Sequence, residues 1–131
     1  MKPESVVSLP PLDILVVDDN VGSAFMMAEV LKRAGHQVRV AVGGNEAIRE
    51  AAGQAPDAIL MDINLPDLGG IEAAKRIRTL MPRVKVIGMS GVHIPGEMEG
   101  DMLIFEDRLY KPITPEQLFS ALERLFGHRA G

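Results

Sequence analysis

The chain has no cysteine. Disulfides and thiolate chemistry are thereby excluded, and a reducing compartment fits. Aromatic residues are nearly as scarce: no tryptophan, one tyrosine and four phenylalanines make up 4% of the sequence, against 47% hydrophobic residues overall. A core drawn from this set is aliphatic, with the eight methionines as filler. No apolar run approaches the roughly 20 residues of a membrane span, and the opening "MKPESVVSLPPL" lacks the basic start and apolar middle of a secretion signal. A cytoplasmic location without membrane insertion is expected. Nor is positive charge in excess, since 14 lysines and arginines face 18 aspartates and glutamates for a formal net charge of -4. The basic footprint of a nucleic-acid surface is missing, so no direct nucleic-acid contact is expected. A length of 131 residues suits one core and one domain.

Residues 1–11, with three prolines and two serines, read as a flexible leader or the stub of a linker. Residues 12–127 form the expected domain, and 128–131 a tail. Within it, short apolar runs alternate with stretches of helical period. "LDILVVD", "QVRVA", "DAILM", "VKVIGM" and "RLY" are the expected strands. Val21, Ala24, Phe25, Ala28 and Leu31 mark a first helix, capped by Asn20 and ended by Gly35 in a left-handed turn. Ala47, Ile48 and Ala51 mark a second, closed by Gly53. Ile71, Ala74, Ile77 and Leu80 mark a third, stopped by Pro82. The last helix has a capping box in Thr114 and Gln117, Pro115 at its first position, and an apolar face of Leu118, Ala121, Leu122 and Leu125. Between Ser90 and the fifth strand, Pro95, Gly96 and Gly100 predict a short, irregular fourth helix.

Repeated strand and helix with right-handed crossovers give an α/β fold, a doubly wound parallel sheet with helices on both faces. Ligands of such sheets sit at the carboxyl edge of the strands. The residues expected there are Asp18 and Asp19 after the first strand, Asp62 after the third, Ser90 after the fourth and Lys111 after the fifth. Converging carboxylates repel and raise one another's pKa unless a cation intervenes. Mg²⁺, which takes oxygen ligands from one or two carboxylates, water and phosphate, suits this set. Lys111 can pair with a carboxylate or a phosphoryl oxygen, and the Ser90 hydroxyl can donate. Phosphoryl transfer asks for these parts, and aspartate can act as its nucleophile.

The segments "ILVVDDN", "LMDINLPDLGG", "VIGMSG" and "LYKP" resemble, in order and spacing, the receiver domains of two-component response regulators. The resemblance spans roughly residues 12 to 127. It implies a flavodoxin-like five-stranded sheet of strand order 2-1-3-4-5, with Asp62 as phosphoacceptor. It also implies Asp19 as a direct Mg²⁺ ligand, Asp18 acting mainly through water, and the Asn64 backbone carbonyl as a further ligand. Ser90 matches the switch hydroxyl and Lys111 the lysine that pairs with the phosphoryl group, followed by a cis bond to Pro112. Pro66 and Gly70 match positions of the loop after the acceptor. The implied partners are a sensor histidine kinase or phosphotransfer protein and a downstream protein target. The domain would assist its own phosphorylation and dephosphorylation without being a turnover enzyme.

Two departures bear on output. The aromatic often found three residues before the lysine is replaced by Arg108, and Tyr110, next to the lysine, is expected on the opposite strand face. "IFED" replaces the usual small-residue turn before the fifth strand. An unphosphorylated scaffold binding through an atypical fourth-helix face is the alternative reading. A metal-dependent phosphatase wants an acid and base two residues after its nucleophile, where Asn64 stands. His36, His93 and His128 are scattered singly and are expected to face solvent, and Met26 and Met27 fit a helix surface.

Overall fold

The five apolar runs become strands β1 (Asp13–Val17), β2 (Gln37–Ala41), β3 (Ala58–Asp62), β4 (Lys85–Ser90) and β5 (Asp107–Tyr110) in a computed structural model that describes residues 9–91 and 104–127. Helices α1 (Val21–Arg33), α2 (Gly44–Gly53), α3 (Gly70–Leu80) and α4 (Pro115–Phe126) complete the described elements. All four strand pairings are parallel and the order is β2-β1-β3-β4-β5, the doubly wound arrangement expected. The expected irregular helix, with His93, falls on residues 92–103, outside the described residues. So do most of the leader, and the tail with His128.

Strand period divides the core into two layers. Leu15, Val17, Ile59, Met61 and Val86 face the small side chains of α2 and α3, Ala47, Ala51, Ala73 and Ala74, with Ile77 buried among them and Ile48 and Ile71 packed at the margin. Ile14, Val16, Leu60, Ile87 and Met89 face Ala24, Met27 and Leu31 of α1 and Leu118, Ala121 and Leu122 of α4. Because β3 lies in the middle of the sheet, all five of its residues are buried, Asp62 included.

Local chemistry sets the helix ends. The Asn20 side chain accepts from the Ser23 N–H at 2.9 Å, and Gly35 takes φ +101°, a conformation that favours glycine. At α4 the capping box is complete: the Gln117 N–H donates to Thr114 Oγ1 and the Thr114 N–H to Gln117 Oε1. Helix α2, by contrast, has glycine at its N-cap and no side-chain cap of its own. Its carboxyl end is closed by Arg39 of β2, whose guanidinium donates to the Glu50 and Gln54 carbonyls at 3.0 and 2.8 Å.

Three sequence expectations are corrected. The buried stripe of α1 is Ala24, Met27, Ala28 and Leu31, an i, i+3, i+4, i+7 set that starts one turn later than expected. Val21 and Phe25 therefore stand at its edge, 51% and 60% exposed, while Met27 is core and Met26 is 70% exposed. On α3, Leu80 is exposed because Ala73, Ala74 and Ile77 already fill the face turned to the sheet. His36 is buried, and its Nδ1 accepts the Leu12 N–H at 3.1 Å at the entrance to β1.

The His36 bond requires an unprotonated Nδ1, and burial lowers the pKa of this group from its ordinary value of 6.5. A base whose folded pKa is depressed adds stability above its unfolded pKa, and that stability is lost as pH falls. The unfolding free energy of the wild type, from urea titrations, should therefore drop between pH 7.5 and 5.5, by no more than about 1.4 kcal/mol per pH unit from this group. In His36→Leu that component should vanish; an identical pH dependence in both proteins would refute the assignment.

Candidate functional site

Four strands deliver the acidic edge. Past β1 the chain stays tied to β2 by the Asp18 N–H on the Ala41 carbonyl at 3.1 Å, which carries Asp18 into the sheet interior, fully buried. Its Oδ1 accepts the Asn20 N–H at 2.9 Å. Asp62 closes β3 in register with Met89 of β4, and Ser90, also buried, is one residue further. Lys111 follows β5, held by its own N–H on the Ser90 carbonyl at 2.7 Å. The Lys111–Pro112 bond is cis, as the family resemblance implies.

These placements bring the side chains together. Lys111 Nζ donates to Asp18 Oδ2 at 2.9 Å and to Asp62 Oδ2 at 3.2 Å. The other Asp62 oxygen accepts the Asn64 N–H at 2.9 Å. Asp19 is exposed at the mouth, and one carboxylate oxygen from each of Asp18, Asp19 and Asp62 lies within 4.8 Å of the others. Burial raises the Asp62 pKa, with the Asn64 N–H and Lys111 opposing. Burial would lower that of Lys111, but the bonds and charges of Asp18 and Asp62 outweigh it and the pKa is raised. One ammonium against three carboxylates leaves an excess of negative charge, and the donors are all oxygen. That set fits a hard divalent cation such as Mg²⁺.

The loop after Asp62 is built to close tightly. The Ile63 N–H donates to the Met89 carbonyl at 2.8 Å, and the Gly70 N–H to the Ile63 carbonyl at 2.9 Å. A Cβ on Gly70 would lie 2.1 Å from the Asp62 carbonyl oxygen, so only glycine permits this approach. Between these ends Asp67 reaches α2: its carboxylate accepts the N–H groups of Gly44 and Asn45 at 2.9 and 3.1 Å. Sequence reading did not single out Asp67, because its partners lie more than 20 residues away and carry no local signature.

On the far side of Ser90, β5 exposes Arg108 and Tyr110 and buries Leu109. Tyr110 thus shares the strand face of Arg108, the position of the usual aromatic, and pairs in register with Ser90; this corrects the expectation of the opposite face, because residues two apart on a strand point the same way. In "IFED", Phe105 is buried against Gly88. Glu106 accepts the Val86 N–H at 2.7 Å and pairs with Arg78, so this segment continues the sheet edge.

A doubly wound parallel sheet with a buried aspartate, an acidic pair and a lysine at its carboxyl edge places the chain among the α/β proteins that gather their functional groups at one end of the sheet. The chain belongs to the response regulator receiver domain family, which its sequence matches over residues 14–123. Chemotaxis protein CheY of Thermotoga maritima is 30% identical over 114 residues, covering 86% of this chain and 95% of that protein. Transcriptional regulatory protein PrrA of Mycobacterium tuberculosis is 32% identical over 117 residues, where the chain spans half of the relative's length. The solved structure of chemotaxis protein CheY4 of Vibrio cholerae superposes with a TM-score of 0.83 at 27% identity, covering 89% of this chain and all of that one. A receiver domain of the CheY type from Methanospirillum hungatei gives the same TM-score at 24% identity and supports the fold alone. Members of this family are signalling modules of two-component systems.

Gly70→Ala tests the loop closure directly. Overlap with backbone atoms leaves nothing flexible to yield, so the variant should lose about 1–3 kcal/mol of stability, as overpacked sites do. Amide resonances of Asp62, Ile63 and Asn64 should shift together in an NMR comparison. Unchanged resonances and an unchanged unfolding midpoint would contradict the close approach.

Proposed function

We propose that residues 12–127 accept a phosphoryl group on Asp62 from the phosphohistidine of a sensor kinase or phosphotransfer protein. The observation that carries this reading is the environment of Asp62: buried at the end of a central strand, one oxygen on Lys111, within reach of Asp18 and Asp19. The free lone pairs of the carboxylate attack phosphorus, the new P–O bond forms as the P–N bond breaks, and the imidazole leaves with its electron pair and takes a proton. The backbone of β3 fixes the line of attack, and Asn64 N–H orients the carboxylate through Oδ1. Lys111 pairs with the added phosphoryl oxygens, and Ser90 offers a hydroxyl at the same edge.

Asp19, Asp62 and the Asn64 backbone carbonyl would hold Mg²⁺, with Asp18 acting mainly through water. When bound, the ion supplies charge neutralisation for the phosphoryl oxygens. The acyl phosphate biases the loops at this edge toward binding a downstream protein, and the same residues assist its hydrolysis. In this reading the module works in the cytoplasm. No described helix is long and apolar enough to cross a membrane.

A protein donor needs a surface beside the cleft, and α1 offers one. Val21, Phe25 and Met26 are exposed apolar side chains one to two turns from Asp18 and Asp19. A groove of about 180 Å³ between Met26, Val30 and the Pro112–Pro115 turn shares Lys111 with the site. We assign this face to the donor.

Intact-mass spectrometry after treatment with acetyl phosphate and Mg²⁺ should show one phosphoryl adduct on the wild type and none on Asp62→Asn. Asp19→Asn should need a Mg²⁺ concentration at least tenfold higher for the same labelling, as loss of a carboxylate ligand implies. Persistent labelling of Asp62→Asn would remove the central claim. For the donor face, Phe25→Ser should slow transfer from a phosphorylated kinase tenfold or more while leaving labelling by acetyl phosphate unchanged. Equal loss with both donors would place Phe25 in the fold rather than the interface.

A further inference from the structure

Helix α2 lacks an N-terminal cap of its own, since Gly43 stands at the N-cap. The cap comes from elsewhere. Asp67 Oδ1 accepts the Gly44 N–H, and Oδ2 accepts both the N–H and the side-chain amide of Asn45, at 2.9, 3.1 and 3.2 Å. These backbone N–H groups, with that of Leu68, lower the Asp67 pKa to about 2, so the carboxylate stays charged at the positive end of the helix at any working pH. The glycines make the approach possible: a Cβ on Gly43 would lie 3.0 Å from Asp67 Oδ2, and one on Gly44 would lie 2.9 Å from Leu68 Cβ.

The loop of residues 63–69 is thus fixed at three places. Its first residue is tied to β4 and to Gly70, and its tip is seated on α2. Asn64 lies between these anchors, two residues from Asp62 and three from Asp67. Between the hydrogen-bonded ends the loop is also held by Leu65, buried in the core layer, and by Leu68, packed against it; the Asp67 carboxylate adds directional bonds that apolar contacts do not supply, and without them the loop backbone regains conformational freedom.

We propose that Asp67 is a positioning residue for phosphoryl acceptance, holding the Asn64 backbone beside Asp62 by seating the acceptor loop on the amino end of α2. The inference rests on the reading of Asp62 given above. It makes α2 part of the site's rigid frame. Asp67 itself touches neither phosphate nor cation in this scheme.

Four full-length proteins test it: wild type, Asp67→Ala, Asp67→Asn and Glu46→Ala. Glu46 Oε1 accepts the Val42 N–H at 2.9 Å in the same β2–α2 turn, so its removal weakens the turn without touching the loop. In metal-free protein, amide exchange at Asn64 and Leu65 should quicken in Asp67→Ala and remain slow in Glu46→Ala. The Mg²⁺ dissociation constant, followed by NMR titration, should rise roughly tenfold in Asp67→Ala, the scale of losing a residue that orients a metal ligand. Asp67→Asn retains an acceptor oxygen and should recover part of the affinity; Glu46→Ala should match the wild type. Equal affinity and exchange in Asp67→Ala and wild type would overturn the inference alone. So would equal effects of Asp67→Ala and Glu46→Ala, which would reduce Asp67 to a general stabiliser. A wild type that neither binds Mg²⁺ nor takes label from acetyl phosphate would overturn the reading of Asp62 and this inference with it.

Discussion

One ammonium group holds the carboxyl edge together. Lys111 Nζ bonds Asp18 and Asp62, which lie 93 and 49 residues from it along the chain and are almost wholly removed from water. Two carboxylates in such a place are tolerable only if each is paired and hydrogen-bonded, since removing one partner leaves an uncompensated buried charge. The structure meets that condition with backbone donors on the remaining oxygens, the N–H groups of Asn20 and Asn64. Lys111 is in turn fixed by its N–H on the Ser90 carbonyl. The parallel sheet is the device that makes this convergence possible, because it ends several distant segments at one edge in fixed register.

The surroundings show which parts of this arrangement a sequence can announce. Strand runs such as "AILMD" are legible because burial on both faces leaves a continuous apolar stretch, and the carboxylate that breaks it stands out. Asp18, Asp19, Ser90 and Lys111 are legible for the same reason, each following a run whose end can be located. The α1 stripe was misread because Val21 and Phe25 fit a helical period as well as Met27 does, and only the direction of the sheet decides between them. His36 reads as solvent-facing because its partner is a backbone N–H in another element. Asp67 was missed likewise: a carboxylate in a loop with proline and glycines reads as a turn residue, and nothing local reports that α2 lacks a cap.

Anchoring is unevenly distributed around the site. On the α2 and α3 side the buried alanines and glycines of the helices stand beside larger residues such as Ile48, Ile71 and Ile77, and Asp67 and Arg39 close α2 at its two ends from other elements. On the other side, β5 pairs with β4 alone among the described residues and presents Arg108 and Tyr110 to solvent. A change at Asp62 therefore meets a stiff boundary toward α2 and a more yielding one toward β5.

The charge balance gives that asymmetry a direction. Phosphorylation of Asp62, on the proposed function, replaces a single negative charge by nearly two and moves it outward past the end of β3. Lys111 now shares its ammonium between Asp18 at 2.9 Å and Asp62 at 3.2 Å. Added charge further from the sheet draws the ammonium away from both. The backbone that must accommodate the shift is the segment on which Lys111 rides, joined to Ser90 through one hydrogen bond and to Tyr110 through one peptide bond. The acceptor loop cannot follow, because its tip is seated on α2 and its ends are closed by Met89 and Gly70. On the proposed function, the shift is left to the ends of β4 and β5, where Ser90 and Lys111 sit.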